Sequence, residues 1–147
     1  MASLIDIKAF HIQSDGQVVQ ALANEETAGE TVDGATKLTQ KFWILLMEQK
    51  GSVPYLPAQG TIFMNRFLTG QFVDDADVFV NFSAAMVDIR PQLENTETVD
   101  DPPDEQYVRG VIEKIFITPD EILVQARVET QESEGMTFLL PLRFLVR

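Results

Sequence analysis

The chain has 147 residues, a formal net charge of −12, 45% hydrophobic residues and no cysteine. That length and apolar fraction are enough for one domain with its own core and exclude general disorder. The missing thiols exclude disulfides and thiolate chemistry and fit a reducing compartment. Only 11 Lys and Arg are present, scattered along the chain, so no basic face is available for phosphates; nucleic acid and anionic membrane surfaces are set aside as partners. The acidity serves solubility or complements a basic protein partner.

The chain opens with MASLIDIKAFHIQSDG, which has no basic segment leading into an apolar stretch. The expectation is no signal peptide and a start in the cytosol, and no apolar run is long enough for a membrane span. Ile5, Ile7 and Ala9 alternate with Asp6 and Lys8, the period of a strand. Ser14, Asp15 and Gly16 form a turn signal, and QVVQALA reads as a short returning strand. The polar, glycine-punctuated stretch 24–34 reads as a mobile linker or loop.

From Thr36 to Lys50 the period becomes helical. Leu38, Phe42, Leu45 and Leu46 share one face, and Trp43, Ile44 and Met47 widen it beyond what a single neighbour covers. Gly51 suits a left-handed position after a helix end. Pro54 and Pro57 then forbid continuation. The stretch TIFMNRFLTGQF is ambiguous between a short helix and an extended segment. A second long helix is expected to start at Asp74 or Asp75, with Asp77 in its first turn. It runs along Val78, Phe79, Phe82, Ala85, Met86 and Ile89 and stops near Arg90 before Pro91.

Residues 94–105 carry six carboxylates, two prolines and no cation, the composition of a solvated acidic loop. The remainder reads as a C-terminal β-meander. YVRGVIEKIFI is β-rich, and TPDE makes a turn. Ile122, Val124, Ala126 and Val128 then alternate with Gln125, Arg127 and Glu129, and after another turn Phe138, Leu140, Leu142, Phe144 and Val146 alternate in a last strand. Pro141 cannot donate to a ladder and pushes that strand to an edge or bulge. The whole predicts a single α+β domain over 1–147, with two main helices on a small antiparallel sheet.

Chemistry is sparse. His11 is the only histidine and sits in a strand pattern, which favours a structural role over a catalytic triad. One His and no Cys leave no transition-metal set, neither carboxylate cluster has calcium-loop spacing, and no phosphate-binding glycine motif occurs. No catalytic, cofactor or metal residue is therefore assigned. A glycoside hydrolase needs only two carboxylates; Glu48 and Asp88 are the least obviously solvent-facing, but helix-end charge or ion pairing is the better reading of both.

The order of features is informative. A polar loop leads into LTQKFWILLM, then KGSVPYLP with its glycine and prolines, then a helix ending in VDIRPQL, then an antiparallel sheet. Over residues 35–146 this order resembles the gpW-type, or lysozyme-like, baseplate wedge family of contractile phage tails, with relatives in type VI secretion and other contractile injection systems. Asp88–Ile89–Arg90 stands where the family has a Glu-Pro-Arg motif, with Pro91 after the arginine, and KGSVPYLP stands at its Pro-Gly-Glu-Arg turn. The resemblance implies a structural, cofactor-free role in the virion tail baseplate of a particle made in the host cytoplasm. Its implied partners are other wedge proteins, the tail sheath protein, and tube or hub proteins. Asp88 and Arg90 carry over as interface residues, and the wide apolar helix adds Phe42, Trp43 and Leu46. An open sheet edge accepting an extended sheath segment, and so starting sheath assembly, follows from the same resemblance. A carboxylate-based muramidase and a small cytosolic adaptor with the same fold are the alternatives.

Overall fold

The computed structural model describes residues 6–7, 10–12, 17–20, 31–132 and 135–143. The turn expected at 14–16, residues 24–30 of the expected linker, and Phe144, Leu145 and Val146 of the last strand lie outside the described residues. The fold is α+β. Two short antiparallel pairs come from the first part of the chain: β1 (Asp6–Ile7) with β4 (Thr31–Val32), and β2 (Phe10–Ile12) with β3 (Val18–Gln20). Residues 31–32 of the expected linker are thus a strand. Helices α1 (Gly34–Met47), α2 (Phe63–Leu68) and α3 (Asp75–Glu94) follow. The meander of β5 (Tyr107–Ile117), β6 (Glu121–Thr130) and β7 (Met136–Arg143) completes the fold as a three-stranded antiparallel sheet with β6 central.

The helices cover one face of this sheet. Leu38, Phe42 and Leu46 of α1 and Val78, Phe82, Ala85, Ile89 and Leu93 of α3 meet Ile122, Val124, Ala126, Val128, Phe138, Leu140 and Leu142 from the strands. Burying each large apolar side chain stabilises by about 1.5–3 kcal/mol. Phe42 is the hub: its ring lies 5.9 Å from that of Phe138, 6.2 Å from Tyr107 and 6.3 Å from Phe82. Gly110 opposite is required for this contact, because a Cβ there would stand 2.6 Å from the Met86 sulfur and 2.8 Å from the Phe42 ring.

β5 shows how a broken alternation becomes a strand. Its register slips between Tyr107 and Arg109 and between Ile112 and Lys114. Each slip is a bulge that adds one residue and restores the phase. Tyr107, Gly110, Ile112, Ile115 and Ile117 therefore share the core side. Pro141 lies in β7, a terminal strand of this three-stranded sheet, as its missing donor demands.

Three helix limits differ from expectation. α1 begins at Gly34 and ends at Met47. Its start is set from afar: the Glu105 carboxylate accepts from the Gly34 N–H at 2.9 Å and faces the Lys37 ammonium at 3.4 Å. Glu105 is buried, so the expected acidic loop 94–105 is not solvated throughout; it ends in a 3₁₀ turn, Pro103–Glu105, anchored to α1. α3 passes through Pro91 to Glu94. The proline removes one helical N–H bond, but the next turn buries Leu93 and places Gln92 against Gly60. The start of α3 is as expected. The Asp74 side chain accepts from the Asp77 N–H, and the Asp77 carboxylate reaches back to the Asp74 N–H, a reciprocal cap.

Candidate protein-interaction site

Past Met47 the chain leaves α1, turns at Gly51 (φ 86°) and returns at Gly60 (φ 94°). The ends of this excursion are clamped together. The Thr61 N–H donates to the Glu48 carbonyl at 2.9 Å, the Lys50 N–H to the Thr61 carbonyl at 3.0 Å, and the Thr61 hydroxyl to the Leu46 carbonyl at 3.0 Å. Gln92 of α3 brackets Gly60, its carbonyl accepting from the Gly60 N–H at 2.8 Å and its amide donating to the Gly60 carbonyl at 3.0 Å. Two inner turns, Val53 to Leu56 and Leu56 to Gln59, are closed by 3.0 Å bonds. The segment is a compact Ω-type loop. Its base is rigid, yet its tip is apolar and exposed: Tyr55 is 94% and Leu56 52% accessible. Together with Ile44 and Leu45 of α1 and Leu93 of α3, the tip walls a groove of about 530 Å³.

The residues singled out from the sequence meet different fates. Phe42 and Leu46 have 0% accessibility and belong to this chain's own core; as interface residues they are corrected. The extra width of the α1 face is used inside the fold, because that helix meets the sheet, α2 and α3 at once. Trp43 is half-buried and packs against the core. Asp88 faces Lys50 at 3.4 Å across the foot of the loop. Arg90 is exposed but turned onto its own chain: it donates to the Val108 carbonyl at 2.8 Å, meets Glu94 at 3.2 Å and lies 5.5 Å from the Tyr107 ring centre. Ile89 between them has 0% accessibility. The triplet thus fans out to the loop, the core and β5. Glu48, the other weighed carboxylate, accepts from the Gln59 amide at 2.8 Å.

The sheet offers a second surface. On its outer face Arg109, Glu129, Arg127 and Glu113 form a network of ion pairs, and Leu139 of β7 is half-buried. The Arg109 guanidinium, bonded to Glu129 at 2.6 Å, holds that carboxyl below its usual range. At the edges the strands differ. β7 is met by Gln17 in a parallel bridge at Leu139, whereas β5 has no second strand among the described residues. The start of β5 is self-capped: Glu97 accepts from the Tyr107 N–H at 2.6 Å, Arg90 occupies the Val108 carbonyl, and the Tyr107 hydroxyl accepts from the Gly110 N–H at 3.0 Å. Burial pushes the Tyr107 phenol up, partly offset by the hydrogen bond it accepts from Gly110. Further along, the Thr118 N–H bonds to the Glu121 carbonyl. Antiparallel alternation then turns the main-chain groups of Ile115 and Ile117 away from β6. Phe79, Val80, Phe116 and Ile117 are exposed beside this end.

Neither the Gln92 bracket nor the Glu105 cap was legible beforehand, since no local signal links positions so far apart in sequence. No group of metal-ligating side chains and no helix long and apolar enough to cross a membrane occurs among the described residues. Comparisons with protein-family models, curated proteins and solved structures match nothing to this chain.

Proposed function

We propose that this chain is a structural protein of a contractile-tail baseplate, joining the wedge to the tail and starting sheath assembly by accepting an extended strand. The observation that carries this reading is the end of β5. Its outward main-chain groups lie beside exposed Phe79, Val80, Phe116 and Ile117, the setting in which an added strand gains ladder bonds and side-chain pockets together. The baseplate setting itself rests on the order of features over residues 35–146. The partners are then wedge proteins, the sheath protein, and tube or hub proteins, and the location is the virion tail. A muramidase is disfavoured because Glu48 and Asp88 both brace the loop base. The test is a structure of assembled particles containing this chain. A sheath segment laddered against Ile115–Ile117 supports the proposal; a sheath that touches only the helices, or a β5 edge covered by this chain itself, overturns it.

A further inference from the structure

The groove between α1, the 51–60 loop and the end of α3 lies apart from the β5 edge. We infer that it receives an amphipathic helix of a protein partner, with Lys or Arg flanking its apolar face.

Three observations support this assignment. First, the wall is preorganised. Gly60 sits at φ 94° with its α-carbon against the Glu48 carbonyl, Gln92 bonds it on both sides, and Thr61 ties the loop to α1. A loop held this firmly while showing Tyr55 and Leu56 to solvent presents a surface whose ordering cost is met before binding.

Second, the shape of the groove selects a helix over a strand. The α1 wall is Lys41, Ile44 and Leu45, the i, i+3, i+4 ridge of one helical turn. The loop's backbone is used in its own turns at Leu56 and Gln59 and at its base. An extended segment would find no free ladder there, whereas a helix satisfies its own backbone and needs only an apolar groove.

Third, the surroundings fix the partner's charge. The groove shares Lys41, Leu93 and Thr96 with a small adjoining cavity that Glu97 and Asp101 also line, and the only charged residue among its own lining is Lys41. Of the neighbouring lysines, Lys50 faces Asp88 and Lys37 faces Glu105. A second copy of this chain would bring its net charge of −12 against the same acidic rim, so a basic-flanked helix is the complementary occupant.

The test uses the full chain and three labelled synthetic peptides followed by fluorescence anisotropy. One has an apolar i, i+3, i+4, i+7 face with Lys flanks, one has the same face with Glu flanks, and one scrambles the Lys peptide. The Lys-flanked peptide is expected to bind at least about tenfold more tightly than either other. That preference should fall with added salt. Tyr55→Ser with Leu56→Ser should weaken binding at least about tenfold while leaving the circular dichroism and Tm near wild type, since both side chains are exposed. Val87→Ser, on the solvent face of α3, should leave binding unchanged. Absent binding, equal binding of the scrambled peptide, or indifference to the loop variants overturns the inference. Self-association in sedimentation that Leu56→Ser abolishes also overturns it, by giving the groove to a second copy. None of these failures touches the β5 edge, so that proposal stands or falls separately.

Discussion

Gly51 and Gly60 allow backbone strain and steric fit to be separated. Both have positive φ, 86° and 94°, but a Cβ at Gly51 meets nothing within 4 Å, whereas at Gly60 it would stand 2.5 Å from the Glu48 carbonyl oxygen. Gly51→Ala therefore carries only the left-handed penalty, about 1–2 kcal/mol. Gly60→Ala carries that penalty and must also push the loop off α1. Relief of the clash loosens the Thr61–Glu48 and Lys50–Thr61 bonds and the two Gln92 bonds. At about 0.5–1.5 kcal/mol each, losing two of the four adds about 1–3 kcal/mol. The expected destabilisation is about 1–2 kcal/mol for Gly51→Ala and about 2–5 kcal/mol for Gly60→Ala, the gap of about 1–3 kcal/mol corresponding to a Tm difference of roughly 2–12 °C for a chain this size. Urea unfolding followed by Trp43 fluorescence, with Tm from circular dichroism, measures both. Equal losses in the two variants would refute the claim that contact with α1, rather than φ alone, demands glycine at position 60.

Phe42→Ala should cost about 3–5 kcal/mol in urea unfolding, a core effect that appears in the isolated chain without any partner. Arg90→Ala should lower stability by about 1–2 kcal/mol through the lost Val108 bond and Tyr107 contact; a Tm identical to wild type would return this side chain to an intermolecular role. Glu105→Ala removes both the α1 cap and the carboxylate facing Lys37 and should cost about 3 kcal/mol or more, with amide exchange rising first at the start of α1. Glu129 has a folded pKa below its ordinary 4.5, chiefly through its hydrogen bond with Arg109. Its stabilising contribution is therefore complete above that value and lost as pH falls through the lower folded pKa. The stability gap between wild type and Glu129→Gln should close in that acid window and stay constant above it. Purified protein should not clear a suspension of bacterial cell walls in a turbidity assay; clearing abolished by Glu48→Gln or Asp88→Asn would favour the muramidase.

Period and end signals in the sequence determined the α+β class, both long helices and the meander. Leu38, Phe42 and Leu46 repeat at one helical spacing, Ile122 to Val128 at strand spacing, and Asp74 with Asp77 marks a start that needs no distant partner. These are local consequences of backbone geometry and are written within a few residues of where they act. Contacts between distant segments decided the rest. Whether the wide apolar face of α1 met a partner or its own fold depended on how many elements converged on Phe42. Arg90 could equally serve an interface or β5 until the Val108 carbonyl was brought within 2.8 Å of it. Helix α3 crossed Pro91 because Leu93 and Gln92 gained more from the core and from Gly60 than one lost N–H bond cost. The alternation of β5 made sense only once two bulges paired it with β6. Such outcomes are balances of a few kcal/mol between groups far apart in sequence, and only the folded chain sets which of those groups meet.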